Sequence, residues 1–295
     1  MSLLSAVLLS ALAVLVPSPC AGDGDSLSLA AVPCGERHAS PGHQTRIKGG
    51  QEAYRGQFPW SVSVRHQGAH LCMGALLSDR YVLTAAHCFG GRPASQFSVL
   101  VGGQDLTSDA DAEPGRRVVT VERKIIHEDY VEGRFDDDIA LLRLSEPVTW
   151  GDFVQPVCVP PASADAKRYT GARGLLAGWG YLDEWRTGGE RSDTLQWTAL
   201  PLLSRQTCQQ WFTDAGKVIK VRPGKVCAGF REGGTDSCQA DSGGSLTVAD
   251  QDGDQERAVV VGVVSAGIGC GRPGLPGIYT DVTHYHKWIV DHVEP

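Results

Sequence analysis

The stretch Asp236-Ser237-Cys238-Gln239-Ala240-Asp241-Ser242-Gly243-Gly244 places a serine between an acid and two glycines near the end of a 295-residue chain. A hydroxyl is a poor nucleophile near neutral pH. A serine used that way needs a base to take its proton and donors for the oxyanion that follows. His87 is the candidate base: it lies in Leu83-Thr84-Ala85-Ala86-His87-Cys88, where an apolar strand-like run breaks beside a cysteine able to pin the turn. Asp138 is the candidate orienting acid, because it ends the acidic run from Asp136 and opens the apolar run Ile139-Ala140-Leu141-Leu142. A carboxylate at such an edge is partly desolvated, which suits a group that selects one imidazole tautomer and stabilises the imidazolium. The chain order His, Asp, Ser is one of three in which unrelated folds assemble this triad.

Thirty-six Gly and sixteen Pro punctuate short Val- and Leu-rich runs such as 97–101, 117–121, 139–144 and 258–264. That pattern predicts many short strands joined by turns, hence an all-β sandwich or barrel. The length permits one large domain or two small ones. Tyr285, Trp288, Ile289 and Val293 recur at helical spacing and predict a C-terminal helix. A net charge of −7 argues against a general nucleic-acid surface. Leu3 to Val16 is apolar and is followed by Pro17-Ser18-Pro19-Cys20-Ala21-Gly22, which reads as a secretory signal peptide over about residues 1–22. It is too short for a comfortable membrane span. The expected mature chain is therefore secreted, with no membrane span, and the absence of asparagine leaves it without an N-glycosylation sequon. Nine cysteines in a secreted chain leave one over, and loss of Cys20 with the signal leaves eight. Zinc ligation is disfavoured, since no close cysteine pairs recur at ligand spacing.

Further motifs stand in register with these: Arg46-Ile47-Lys48-Gly49-Gly50, Phe58-Pro59-Trp60, Gly178-Trp179-Gly180 and Pro276-Gly277-Ile278-Tyr279-Thr280. Through them the chain resembles the trypsin-like (chymotrypsin-fold) serine endopeptidases over about residues 46–295. The resemblance implies an all-β fold of two packed antiparallel six-stranded β-barrels, about 47–160 and 170–283, with a C-terminal α-helix and the triad in the cleft between them. It implies a propeptide or light chain at 23–46 and a peptidase domain at 47–295. It assigns His87, Asp138 and Ser242 to catalysis and the Ala240 and Ser242 amides to the oxyanion hole. Asp236 becomes the floor of the primary specificity pocket, with Ser265, Gly267 and Gly277 in the substrate-binding walls. A buried carboxylate there demands an Arg or Lys side chain. The implied disulfides are Cys34–Cys158, Cys72–Cys88, Cys208–Cys227 and Cys238–Cys270. Cleavage after Arg46 would free an ammonium at Ile47 to pair with Asp241. The implied partners are protein or peptide substrates, an activating protease and proteinaceous inhibitors, and the chemistry calls for no metal or cofactor.

Departures from the family pattern point to weakened activity. Ala240 stands where a glycine is usual, and its methyl costs about 1–2 kcal/mol if the oxyanion turn needs a positive φ. Ala266 replaces a usual tryptophan beside the pocket, and Met73, Ser245 and Lys48 are further changes. The alternative implied by Ala240 and Ala266 is a catalytically impaired binding protein on the same scaffold. Asp105, Asp109, Asp111 and Glu113 read as a solvated acidic loop rather than a calcium site.

Overall fold

The computed structural model describes residues 27–38, 46–47, 50–109, 113–181, 190–234, 236–252 and 255–294. The expected signal peptide, the segment 39–45, and Lys48 and Gly49 lie outside the described residues.

The fold is two closed antiparallel barrels of six strands each. The chain enters through a short pair, β1 (Arg46–Ile47) and β2 (Gly50–Glu52). The first barrel contains β3 (Ser61–His66), β4 (Ala69–Leu76), β5 (Tyr81–Thr84), β6 (Phe97–Val101), β7 (Arg117–Ile126) and β8 (Ala140–Leu144), closed in the order β3-β4-β5-β8-β7-β6. Alternation explains these elements: in β7, Val119 and Val121 turn inward while Val118, Thr120 and Glu122 face water. β8 is apolar at four of its five positions and β3 is buried from Ser61 to Val64, because their outer faces are covered too.

The second barrel contains β9 (Arg173–Gly178), β10 (Gln196–Leu203), β11 (Lys225–Ala228), β12 (Ser245–Asp252), β13 (Gln255–Ala266) and β14 (Gly277–Asp281). Its strands run β10-β11-β14-β13-β12-β9, and pairing of β9 with β10 completes the ring. Strands β1 and β2 attach to this second barrel through Gln51 and Glu52 on β10, although the sequence reading groups residues 47–52 with the first. Their partners, Trp197 and Gln196, lie too far along the chain for local pattern to reveal them.

One apolar cluster fills the first barrel and crosses the junction, joining Trp60, Leu83 and Leu141 to Trp179, Val263 and Ile289. Another, around Leu176, Leu246, Val261 and Tyr279, fills the second barrel. The terminal helix α2 (His286–His292) buries Trp288 and Ile289 in the shared cluster, so its role is to clamp the barrels together. A helix absent from the sequence reading, α1 (Arg205–Asp214), is capped by Ser204, whose hydroxyl accepts the Thr207 N–H. It buries only Cys208 and Phe212, one turn apart. Four disulfides join Cys34 to Cys158, Cys72 to Cys88, Cys208 to Cys227 and Cys238 to Cys270, the pairs implied by the resemblance. Among the described residues no helix is long and apolar enough to cross a membrane.

Candidate active site

Strand β5 ends at Thr84 and the chain turns through a short 3-10 element at Ala86–Cys88, which presents His87. The Cys72–Cys88 disulfide ties this turn to β4. Facing it, three consecutive aspartates diverge. Asp136 pairs with Arg222 at 3.1 Å, and Asp137 accepts the Tyr285 hydroxyl at 2.7 Å from a left-handed backbone, φ 51°. Aspartate tolerates that region better than most residues. The twist turns Asp138 inward, where it is fully buried.

Asp138 Oδ2 accepts from His87 Nδ1 at 2.8 Å, and Oδ1 accepts the His87 backbone N–H at 2.9 Å. Ser265 donates its hydroxyl to Oδ2 at 2.5 Å. Burial pushes the Asp138 carboxyl up, but the hydrogen bond and charge of His87, helped by Ser265, outweigh it and hold the acid below its ordinary range. A carboxylate only accepts, so Nδ1 carries the hydrogen and Nε2 is the basic nitrogen.

Ser242 sits across the barrel junction. Its carbonyl accepts the Met73 N–H at 2.7 Å and lies 3.9 Å from Cys88 Sγ. Gly243 follows at φ 80°, and a Cβ there would overlap the Thr84 hydroxyl, so the turn can seat on β4 and β5 only with glycine. Met73 thereby gains a structural account: it is buried at the junction, and its backbone carbonyl accepts the Thr84 hydroxyl. The Ser242 side chain is partly exposed and makes no hydrogen bond among the described residues, His87 included. Geometry thus supplies a tight His87–Asp138 pair and a serine hydroxyl free to rotate at the same junction.

Ala240 has φ 72°, which realises the strain anticipated from sequence. Tyr181 N–H holds the Gln239 carbonyl at 3.0 Å, so the trans peptide points the Ala240 N–H the opposite way. Among the described residues neither this N–H nor that of Ser242 has a protein acceptor. His70, which the sequence reading passed over, fixes the next peptide: its Nε2 donates to the Ala240 carbonyl at 3.1 Å and its Nδ1 accepts from Ser63 at 2.8 Å. Burial pushes the His70 pKa down to about 4, which keeps the ring neutral and that tautomer set.

Asp241 points away from the serine into the second barrel. Its carboxylate accepts N–H groups of Gly180 at 2.8 Å and Cys238 at 3.0 Å, and no cation pairs with it among the described residues. Burial raises its pKa to about 6. A side chain on Gly178 or Gly180 would overlap this carboxylate, which gives the Gly178-Trp179-Gly180 motif a steric reason. Arg46 and Ile47 are continuous in β1, at the sheet edge, with backbone partners Gln51 and Gly50.

Asp236 lies beside Gly277, where a Cβ would come within 2.6 Å of its Oδ1. Its carboxylate accepts the Ser237 N–H at 2.8 Å and the Gly271 N–H at 3.3 Å. Desolvation raises its pKa to about 7, although the residue retains some exposed surface. Gly267 is exposed, with little around it, and Ala266 is half-buried at the end of β13. Ser265 sits at a bulge between Val264 and Ala266, and its hydroxyl is committed to Asp138.

The Trypsin family profile matches residues 47–289. The chain belongs to the trypsin family. Among curated relatives it is similar to serine proteinase stubble of Drosophila melanogaster, 35% identical over 85% of this chain and 31% of that protein. It is 38% identical to serine protease filzig of the same fly over 87% of this chain and 15% of the relative. It is 34% identical to mouse ovochymase-2 over 93% of this chain and 47% of the relative. The chain therefore spans less than half the length of each. These matches support a trypsin-like serine protease.

Two further features of this trypsin-family chain bear on the site. Phe135 is about half exposed, with its ring 6.0 Å from the His87 ring, an apolar wall on the open side of the imidazole. Ligand atoms of Cys72, His87 and Cys88 lie within 4.8 Å of one another, but both sulfurs are spent on one disulfide, so the group offers an ion a single imidazole. In the acidic loop, Glu113 is occupied by Arg116 at 2.9 Å and Asp105 by Thr107.

Proposed function

We propose that the chain is the secreted zymogen of a serine endopeptidase that cuts peptide bonds after Arg or Lys. The observation that carries this reading is the buried Asp138 holding His87 in the tautomer whose Nε2 accepts a proton, with Ser242 seated on the adjoining turn. His87 takes the Ser242 proton as Oγ attacks the substrate carbonyl. The Ala240 and Ser242 amides stabilise the oxyanion, and the imidazolium returns the proton to the leaving amine. Water then repeats the sequence on the acyl-enzyme. Asp236 selects a cationic side chain at the primary pocket.

Residues 1–22 act as a signal peptide, 23–46 as the propeptide and 47–295 as the peptidase. The segment 27–38 supports retention of the propeptide as a light chain. Leu27 bridges to Val159, Cys34 is bonded to Cys158, and Arg257 donates to both the Cys34 carbonyl and Glu36. Cleavage after Arg46 gives Ile47 an ammonium for Asp241, which among the described residues otherwise has only amide donors. One partner of such a buried pair is worth about 3–5 kcal/mol to its arrangement. The sign for Asp241 follows from its raised pKa: in the uncut chain it keeps a proton that the unfolded chain has lost, so its contribution to stability falls as pH rises from about 4 to about 6.

The decisive test is to cut purified protein after Arg46 and treat it with a fluorophosphonate probe and an Arg-amide substrate. Labelling and hydrolysis are expected in the cut protein and lost in Ser242→Ala. Correctly cut protein that neither labels nor hydrolyses supports the binding-protein reading, which the strained Ala240 favours. That alanine also gives a graded prediction. Ala240→Gly removes a strain of about 1–2 kcal/mol that the uncut fold already carries, so it should stabilise the chain by about that much. Any part of the strain that grows as the oxyanion forms, at most about 2 kcal/mol, should raise kcat/KM by up to about 30-fold. In a binding protein the same change creates no hydrolysis.

A further inference from the structure

Behind Ser265 and Thr280 lies a buried lysine. Lys225 opens β11, is 7% exposed, and pairs with no carboxylate among the described residues. Its Nζ donates to Ser265 Oγ at 3.3 Å and Thr280 Oγ1 at 3.1 Å. Each hydroxyl has one hydrogen and spends it on the same residue: Ser265 on Asp138 Oδ2 at 2.5 Å, Thr280 on the Asp138 backbone carbonyl at 2.8 Å. An ammonium can only donate, so both hydroxyls must accept from it and turn their hydrogens toward Asp138. A hydroxyl that accepts from a cation is also the stronger donor, since chained hydrogen bonds polarise one another.

We propose that Lys225 is a positioning residue for the Asp138–His87 pair, acting through Ser265 and Thr280 to aim both hydroxyls at Asp138 and to place a positive charge behind its carboxylate. The inference rests on the Ser-His-Asp reading of the site. Its electrostatic consequence is that Asp138 stabilises the protonated imidazole less than it would alone, which extends the neutral, proton-accepting form of His87 to lower pH. Burial lowers the Lys225 pKa, and the facing Asp138, Asp136 and Asp137 oppose that. Other charges around Lys225 are committed or outward. Asp136 is paired with Arg222, and Asp281 accepts from Thr283. Asp165, Lys167, Arg205 and His284 line the same open cavity of about 1030 Å³ that Lys225 lines. On the His87 side, Asp138 is the sole carboxylate bonded to the ring among the described residues, Phe135 is the ring's aromatic neighbour, and the Tyr130 phenol feels the Asp138 charge.

The test is an NMR titration of the His87 imidazole in the full, uncut chain, which needs no catalytic activity. Lys225→Met, apolar and of similar length, should move the His87 midpoint upward by about one pH unit, since removing a nearby cation eases protonation. Lys225→Gln, a neutral donor, should move it in the same direction by less. The Met effect should shrink in a Ser265→Ala background, because that hydroxyl relays part of it. In cut protein, the acid limb of kcat/KM should shift with the titration. Coincident His87 titrations in parent and Lys225→Gln would overturn the proposal even if Lys225→Met fails to fold. Absence of hydrolysis alongside a shifted titration would count against the protease reading and leave the Lys225 role standing.

Discussion

Replacing Asp138 by Asn should lower kcat of the cut protein by about 10⁴-fold, the size associated with the wrong imidazole tautomer in a Ser-His-Asp triad. The donors around the carboxylate leave Asn no neutral solution. Oδ2 receives His87 Nδ1–H and the Ser265 hydroxyl, and Oδ1 receives the His87 backbone N–H. If the amide nitrogen takes the Oδ2 place, it donates to Nδ1 and moves the ring hydrogen to Nε2, which can no longer accept from Ser242. If it takes the Oδ1 place, it opposes the His87 backbone N–H and disturbs the turn that presents the ring. The loss should fall on kcat rather than KM, because neither group touches the ground-state substrate. Steady-state kinetics on an Arg-amide decide it. Retention of kcat within about tenfold would remove Asp138 from the role of orienting acid.

What could be read before any coordinates was local. His87, Asp138 and Ser242 each sit in a short motif whose chemistry is expressed within a few residues, and the strand runs alternate or saturate with apolar residues as barrels require. Strain at Ala240 was legible as a condition, because alanine at a glycine position matters only if φ is positive, and φ is 72°. What escaped was non-local or weakly patterned. α1 buries two residues on an otherwise polar face, so its helical period is faint. His70 reaches Ala240 across 170 positions, and Lys225 meets Ser265 and Thr280 across 40 and 55. No window along the chain records such contacts. The β1–β2 pair joining the second barrel escaped for the same reason, since its register depends on β10. The bed of Gly178 and Gly180 beneath Asp241 was visible as a motif, yet its steric purpose required the folded backbone.

An aromatic amidine, a rigid cation shaped like an arginine head, should bind the cut protein with an affinity that drops by about 50-fold between pH 7 and pH 5. The argument starts from Asp236, whose desolvation raises its pKa to about 7 against the amide donors Gly271 and Ser237 that lower it. Only the ionised carboxylate pairs with a cation. Below about pH 7 the empty pocket holds a proton that the occupied pocket must release, so affinity falls about fivefold from pH 7 to pH 6 and about tenfold over the next unit. The same sign governs stability. The empty folded chain binds this proton where the unfolded chain does not, so the Asp236 contribution declines as pH rises from about 4 to about 7, and a bound cation offsets the decline. Asp236→Asn keeps the shape and deletes the charge. Removing one partner of a desolvated pair costs about 3–5 kcal/mol, so kcat/KM on Arg-amide should fall by about 10²–10⁴-fold. The pH dependence of amidine binding should flatten in the same variant. Calorimetric titration at pH 5, 6, 7 and 8 checks both halves, and an affinity that stays constant over that range in the parent would remove Asp236 from the floor of the pocket.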